Sequence, residues 1–224
     1  MDSTTNYKYI NIHSHQKPQL KDEIVVRNAY LRLSAGQIEH LPYSISVGLH
    51  PWHVHTMNVN DCADKLIEIA SSEKVLAIGE IGVDRSIEIS VNTQFKYFET
   101  QLNVARALQK PVIIHAVRSY SDIIPYLKKT KVPFIFHQFQ GNEQQAKELL
   151  KHNSYLSFGS NLFDNKVALV FQKTPLEHIF LETDTSTQMS IHDIYKKAAL
   201  QKEIEIDELK SMVFHNFANL IKNQ

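Results

Sequence analysis

Short apolar runs alternate along this chain with segments whose apolar residues recur at steps of three and four. Runs rich in Val, Ile, Phe and Tyr are typical of strands, and the longer periodicity is typical of amphipathic helices. Their alternation predicts an α/β fold with a parallel sheet, and eight such runs predict a TIM-like (β/α)8 barrel. The predicted strands are Tyr9–His13, Glu23–Asn28, Tyr43–Leu49, Lys74–Glu80, Pro111–His115, Pro133–His137, Tyr155–Gly159 and Ile179–Glu182.

The helical pattern is clearest between residues 90 and 109, where apolar residues from Val91 to Ala105 form one stripe. The last predicted helix has Asp207 as its N-cap. The predicted helices are Asp61–Ser72, Ser90–Gln109, Ser119–Lys129, Glu143–Lys151 and Asp207–Ile221.

The first part of the chain departs from an ideal barrel. The connection between the first two predicted strands is shorter than the roughly ten to twelve residues that a crossover with a full helix needs. The next connection is only slightly longer and contains Gly36 and Pro42. We therefore expect the first helix to be missing and the second to be vestigial.

Ionisable side chains lie at or just beyond the C-terminal ends of five of these runs. The carboxyl ends of the strands in a parallel barrel open to one face, which is where barrel enzymes have their active sites. Imidazole and carboxylate groups brought together there predict a metal site and metal-assisted hydrolysis. The six residues are His13, His15, Glu80, His115, His137 and Asp184.

Strand alternation supports this interpretation. Alternate residues share a face, so His13 and His15 point the same way and can bind one metal. An isolated His-x-His pair is more often a coincidence than a metal site. However, an apolar residue also lies two positions before Glu80, His115 and His137, which predicts a polar rim above a buried layer. Burying these groups is costly unless metals or hydrogen bonds compensate.

Composition narrows the classes of function. Lys plus Arg and Asp plus Glu both number 24, so the net charge is zero. Proteins that grip long stretches of duplex DNA usually carry a basic excess. The single Cys62 excludes a disulfide framework and favours a reducing compartment. The start, Met1–Asn6, has no signal-peptide pattern, and no apolar stretch is long enough to span a bilayer. We expect one cytoplasmic domain over residues 1–224, with no membrane contact and no obligate protein partner.

Six segments, in this order, resemble the TatD-type metal-dependent deoxyribonucleases, a branch of the amidohydrolase-like TIM barrels. The resemblance extends from residue 9 to about residue 220 and includes Gln94, Phe98, Gln101 and Ala105 of the longest predicted helix. It implies a hydrolase with one or two divalent metal ions at the C-terminal face of the barrel. The segments are His13–His15, Gly48–Trp52, Ala77–Asp84, Pro111–His115, His137–Gly141 and Leu181–Asp184.

The resemblance also implies roles for the six residues. Glu80 and Asp184 would be the catalytic carboxylates, and Asp184 would also take a proton from the attacking water. Histidine with carboxylate suits Zn, Mn, Fe or Ni, and Mg suits a more oxygen-rich position, so the metal stays open. His13, His15 and Asp184 would hold the first metal, and Glu80 would bridge it to a second metal held by His115 and His137.

The loops depart from the family pattern more than the ligands do. The usual His-Cys-Phe-Ser-Gly is here His137-Gln-Phe-Gln-Gly141, and the proline of Glu-Thr-Asp-x-Pro is replaced by Ser186. The family's Gly-Leu-Asp-Tyr ends here in Arg85, and the arginine of its His-Ser-Arg is moved by one place to Arg118. The class of reaction is therefore better supported than the substrate.

Other residues beside the predicted strand ends are candidates for substrate binding, and each has a structural alternative. Arg85 and Arg118 could clamp a phosphate, or pair with Asp84 or Asp122. His50 could contact a phosphate or the leaving group, or it could be a rim histidine that covers the core.

A structural role is favoured for Trp52, His53 and His55, although Trp52 could also stack on a base. Strand alternation places Glu182 below Asp184, where it could orient a ligand histidine. The remaining histidines are expected at the surface; they are His40, His152, His178, His192 and His215.

Three hypotheses about function follow. The first is a metal-dependent deoxyribonuclease that acts on DNA ends or single-stranded DNA, since the neutral charge argues against a long duplex footprint. The second is a hydrolase of a small amide, ester or lactone on the same scaffold, because fold does not determine substrate. The third is a non-catalytic barrel that serves as a binding module. The six candidate ligands argue against it, because a binding module does not need a complete metal site.

Overall fold

A barrel of parallel strands forms the centre of the protein. The computed structural model describes residues 7–31 and 33–222, so the start Met1–Asn6 lies outside the described residues. All eight predicted strands are present, with shifted ends, and they pair in chain order. This confirms the predicted barrel. The strands are β1 Tyr9–Ser14, β2 Glu23–Tyr30, β3 Ser44–Gly48, β4 Val75–Asp84, β5 Val112–Val117, β6 Phe134–Phe136, β7 Ser154–Phe158 and β8 Ile179–Leu181.

The barrel closes between its last and first strands at the C-terminal face. The backbone N–H of Asp184 donates to the carbonyl of His13 at 3.0 Å, and that of His15 donates to the carbonyl of Asp184 at 2.9 Å. Deeper in the barrel, the side chain of Asn11 accepts from the backbone N–H of Thr183 at 3.0 Å. The hydrogen bonds that close the barrel therefore also bring three of the predicted ligands together.

Helices cover the barrel from β3 onward. The connection between β1 and β2, all of it described, contains no helix, and the described part of the next connection has only a five-residue helix, as expected. Two helices, at Asn165–Lys173 and Ile191–Lys202, were not expected from the sequence. The last helix has Glu205 rather than Asp207 as its N-cap. The helices are α1 Ala35–Glu39, α2 Val59–Ala70, α3 Val91–Ala107, α4 Tyr120–Leu127, α5 Glu143–Leu150, α6 Asn165–Lys173, α7 Ile191–Lys202 and α8 Ile206–Ile221.

Two buried glutamines of α3 hold the strand ends that lead into the site. The side chain of Gln94 accepts from the backbone N–H of Asp84 at 2.7 Å and donates to its carbonyl at 2.9 Å. Gln101 does the same for Leu49, at 2.6 and 3.0 Å. Each amide supplies the donor and acceptor that a neighbouring strand would otherwise supply. The ends of β3 and β4 are thus fixed where the loops to the site begin.

Below the C-terminal face the ligand strands are apolar. Ile78, Ile113 and Ile135, each two positions before a predicted ligand, are fully buried. Among the described residues, no helix is both long and apolar enough to cross a membrane.

Gly82 of β4 lies opposite His115 of β5. Its φ is 151°, and a Cβ there would lie 1.9 Å from the carbonyl oxygen of His115. We expect Gly82→Ala to lower the free energy of unfolding by at least about 2 kcal/mol, because both the backbone and the strand pairing must shift. The measurement is equilibrium unfolding in urea.

The matched control is Gly36→Ala in α1, where nothing lies within 4 Å of the added Cβ. This change should be neutral or stabilise by about 0.5–1 kcal/mol, since alanine is the better helix former. Equal effects of the two substitutions would contradict the close approach at Gly82.

Candidate metal centre

Glu80 is the centre of the site and lies within β4, which continues four residues beyond the predicted strand end, to Asp84. The carboxylate of Glu80 is 5% exposed and accepts a hydrogen bond from the side chain of Asn28 at 3.3 Å. Imidazoles from several strand ends surround it, which places the predicted residues in one cluster. Glu80 Oε1 lies 2.7 Å from His115 Nδ1, 2.7 Å from His137 Nε2 and 3.2 Å from His50 Nε2, and Oε2 lies 3.4 Å from His13 Nε2 and 4.0 Å from His15 Nε2.

Asp184 faces His13 of β1 and His15, which directly follows that strand. Its Oδ1 lies 3.5 Å from Nε2 of His13 and 3.5 Å from Nε2 of His15. Strand β8 ends at Leu181, and Asp184 has a φ of 50°, so it does not follow the strand alternation used in the sequence analysis. It reaches the site through a left-handed turn and the backbone hydrogen bonds to β1.

Two carboxylates lie behind His115 of β5 and His137, which directly follows β6. Asp84 Oδ2 is 3.1 Å from Nε2 of His115, and Glu182 Oε1 is 3.3 Å from Nδ1 of His137. A carboxylate on the outer nitrogen fixes the orientation of an imidazole that binds metal. Glu182 is fully buried, and Ser157 donates to its other oxygen. Its expected position beside a candidate ligand histidine therefore agrees with the geometry.

The contact of Asp84 with His115 was missed from the sequence. Asp84 is 1% exposed and also accepts from the indole N–H of Trp52 at 2.7 Å. Burial opposes its ionisation, but hydrogen bonds from Ser86 and Trp52 lower its pKa to about 2. The predicted strand ended at Glu80, whereas β4 continues to Asp84. Extending the alternation would have placed Asp84 on the same face as Glu80, but it would not have shown the contact with His115.

The surroundings determine which groups carry protons. Burial disfavours the charged form of Glu80, but the histidines around it, His137 foremost, hold its pKa well below the usual range. Burial also lowers the pKa of His13, yet the carboxylates of Asp184 and Glu80 outweigh this and raise it to about 9. The pKa of His137 is raised well above its usual value because Glu80 and Glu182 outweigh burial.

The other two histidines shift the opposite way. Burial and the neighbouring His13 lower the pKa of His15, and burial lowers that of His50. Near neutral pH the metal-free cluster thus has protons on His13 and His137 and a neutral imidazole at His15 and His50.

The cluster fits a divalent metal ion. Both ring nitrogens of His13 are buried and have no hydrogen-bond partner in the described part of the chain, which is costly unless another group satisfies them. Imidazole nitrogen and carboxylate oxygen are a suitable donor set for such an ion. Three groups of residues have donor atoms within 4.8 Å of one another: His13, His15 and Asp184; His13, Glu80 and His137; His50, Glu80 and His115.

A large cavity of about 810 Å³ opens onto the cluster from the side of β5 and β6. A second cavity of about 360 Å³ lies along the loop after β8 and is also lined by Asp184. The lining of the larger cavity includes His115, Arg118, His137, Gln138, Gln140 and Asp184.

The two arginine candidates differ in their contacts. Arg85 Nε lies 2.8 Å from Oδ2 of Asp122, so Arg85 is already paired, which was the structural alternative. Arg118 lines the larger cavity, is exposed and forms no ion pair with any described residue.

The remaining candidates divide between the site and the surface. The indole of Trp52 is 51% exposed, although its N–H is bonded to Asp84. His53 lies beside the rings of His50 and Tyr30, and His55 is exposed. Five histidines were expected at the surface. Two of them are exposed, His40 and His215, and three are half-buried, His152, His178 and His192.

Comparisons with known proteins agree with this geometry. A family model described as TatD related DNase matches residues 31–222. The metal-dependent hydrolase YabD of Bacillus subtilis is 32% identical over 186 residues, which cover 78% of this chain and 72% of YabD. The 3'-5' ssDNA/RNA exonuclease TatD of Cronobacter turicensis is 31% identical over 147 residues, covering 62% and 56% of the two chains. The crystal structure of YJJV, a TatD homologue from Escherichia coli, has a TM-score of 0.83 at 20% identity, covers 97% of this chain and 99% of that one, and shows the shared fold.

Metal binding should release protons. Ligand histidines must be neutral, and the pKa of His13 is about 9, so a metal must displace protons from His13 and His137 at pH 7.5. We expect Mn²⁺ or Zn²⁺ to release about two protons per protein in weakly buffered solution. Apparent affinity should rise as the pH is raised towards about 9 and then level off.

The control is His215→Ala, on the exposed face of α8, which should release the same number of protons. Metal binding without proton release, or with affinity independent of pH between 6 and about 9, would contradict the proton distribution described above.

Proposed function

This chain belongs to the family of TatD-related DNases and is a metal-dependent hydrolase, and we propose that it cleaves phosphodiester bonds near the end of a single nucleic-acid strand. The observation that carries the proposal is the set of histidines and carboxylates around Glu80, open to a cavity of about 810 Å³. The Cronobacter relative is named as an exonuclease of single-stranded DNA and RNA, which supports the same class of substrate.

We assign the ligands as the geometry groups them. One or two divalent ions, when bound, would polarise the phosphodiester and lower the pKa of the attacking water. His13, His15 and Asp184 form one group, and Glu80 belongs to both of the others. His50 also contacts the carboxylate of Glu80. The assigned ligands are His13, His15, Glu80, His115, His137 and Asp184.

The chain's own groups then have distinct tasks. Asp184 is partly exposed and ionised, since neighbouring His13 outweighs burial and lowers its pKa, so its carboxylate can accept the proton of the attacking water. Glu182 and Asp84 hold the imidazoles of His137 and His115 from behind. These buried carboxylates limit the rotation of the rings during the reaction.

Arg118 is the side chain that we assign to phosphate recognition. It lines the cavity and makes no ion pair within the described residues, whereas Arg85 is occupied by Asp122. A free guanidinium can contact two phosphate oxygens at once. Because the net charge of the chain is zero, we propose a short footprint in which the site itself supplies most of the attraction.

The test uses metal-loaded protein and end-labelled DNA. We expect single-stranded DNA to be shortened faster than blunt duplex of the same sequence, with only moderate dependence on salt, because few phosphates are engaged. Arg118→Ala should lower kcat/KM by about tenfold, the value of one lost charge-assisted contact, with unchanged metal content. Arg85→Ala breaks an ion pair with Asp122 and should have a much smaller effect.

Two outcomes would contradict the proposal. Metal-loaded protein that ignores every DNA substrate but opens a lactone or cleaves an amide would favour the second hypothesis. Equal effects of Arg118→Ala and Arg85→Ala would remove the assignment of phosphate recognition to Arg118.

A further inference from the structure

Three residues with a left-handed backbone line the larger cavity. Arg118, Gln138 and Asp184 have φ angles of 53°, 42° and 50°, and each follows the end of a strand. Residues other than glycine rarely adopt this conformation, because the Cβ is crowded. Such strain persists where the surrounding structure or a functional position demands it.

The two other left-handed residues have an ordinary explanation. Glu203 is the C-cap of α7, with φ 56° and ψ 40°, and Gln109 follows the C-cap of α3 with φ 54°. Helices commonly end with one residue in this conformation. The residues at the cavity follow strands, so helix termination does not explain them.

Arg118 and Asp184 already have proposed tasks, and Gln138 does not. The backbone N–H of Gln138 donates to Glu182 at 3.2 Å, which fixes the residue directly after the candidate ligand His137. The side-chain amide of Gln138 makes no hydrogen bond with any described residue and is half-buried. It is a polar group near the centre of the site without a structural partner.

The position of this amide depends on a neighbouring glycine. A Cβ added to Gly159, at the end of β7, would lie 2.7 Å from Nε2 of Gln138. The amide therefore occupies the space that any larger residue at Gly159 would fill. The absence of a side chain at Gly159 thus makes room for the amide of Gln138.

Gln138 also lies where the two cavities meet. The cavity of about 810 Å³ and the cavity of about 360 Å³ share Gln138, Ser160 and Asp184. A nucleic-acid strand that occupies both cavities would pass these three shared residues, and the phosphodiester bond beside Asp184 is the one that the proposed reaction would break. Of the side-chain amides among the described residues, Gln138 is the one that lines both cavities.

We infer that the side-chain N–H of Gln138 donates a hydrogen bond to a non-bridging oxygen of the scissile phosphodiester, while the strand extends into both cavities. This inference rests on the proposed function. The left-handed backbone of Gln138 is then explained by the need to place a neutral donor near Asp184. A positively charged side chain at this position would repel the metal ions. An amide binds the phosphate without adding charge to the cluster.

The test separates the amide from the backbone. Gln138→Ala removes the amide and keeps the strain, and Gln138→Gly removes both. Both variants should lose kcat/KM on a labelled single strand by about tenfold or more, the scale of a hydrogen bond to a charged group. The melting temperature of Gln138→Gly should exceed that of Gln138→Ala by about 2 °C, because glycine accepts a positive φ.

Gln109→Gly is the matched control, since it relieves the same backbone conformation outside the site. It should raise the melting temperature similarly and leave kcat/KM within about twofold. If Gln138→Ala keeps nearly full activity and only Gln138→Gly loses it, backbone flexibility is the cause and the inference is overturned.

A binding measurement distinguishes failure of the inference from failure of the proposed function. Calorimetric titration of metal-loaded protein with inorganic phosphate should show about tenfold weaker binding for Gln138→Ala, with unchanged metal content. Equal phosphate affinity in wild type and variant overturns the inference, whatever the activity. Wild-type protein that cleaves no phosphodiester contradicts the proposed function, while the phosphate titration still decides the contact made by Gln138.

Discussion

The buried carboxylate of Glu80 is the constraint on which the rest of the site depends. An isolated anion at this depth would be costly, and a buried charge persists only when it is paired and hydrogen-bonded. Glu80 meets this condition because five imidazoles approach within 4.0 Å of it. Glu80 therefore stays ionised because the barrel brings together the strand ends that carry these imidazoles.

The same constraint connects the closing of the barrel with its chemistry. The backbone of Asp184 pairs with His13 and His15, so the first and last strands are joined at the residues that we assign to the metal. On the other side, Gln94 and Gln101 hold the ends of β4 and β3 from a covering helix. Stability and ligand geometry are thus carried by the same hydrogen bonds, which reduces the freedom of the cluster to relax when metal is absent.

Much of this arrangement could be predicted from the sequence. Eight apolar runs gave the strands because a buried parallel strand must be apolar, and the ionisable residues at their ends gave the cluster because those ends share one face. The short early connections correctly predicted a missing and a reduced helix. Helix α6 contains a short continuous apolar run, Val167–Phe171, whose periodicity does not distinguish a helix from a strand. Helix α7 does carry a helical stripe, from Ile191 to Ala199, and this signal was overlooked.

Contacts between side chains were the part that sequence could not resolve. Arg85 and Arg118 both lie at or beyond the end of a strand that carries a ligand. Only the positions of the side chains show that Asp122 forms an ion pair with Arg85 and not with Arg118. The contact between Asp84 and His115 depends on the direction of two side chains on neighbouring strands. Gln138 has a left-handed backbone, which glutamine normally avoids, so its residue type does not predict this conformation.

Anomalous X-ray diffraction from crystals soaked in Mn²⁺ or Zn²⁺ tests the central claim most directly. The account predicts one or two anomalous peaks within bonding distance of donor atoms of the cluster around Glu80. At least one peak should be bound by His13, His15 and Asp184, or by Glu80 with His115 or His137. Crystals that bind the metal elsewhere on the surface and show no peak at this cluster would contradict it.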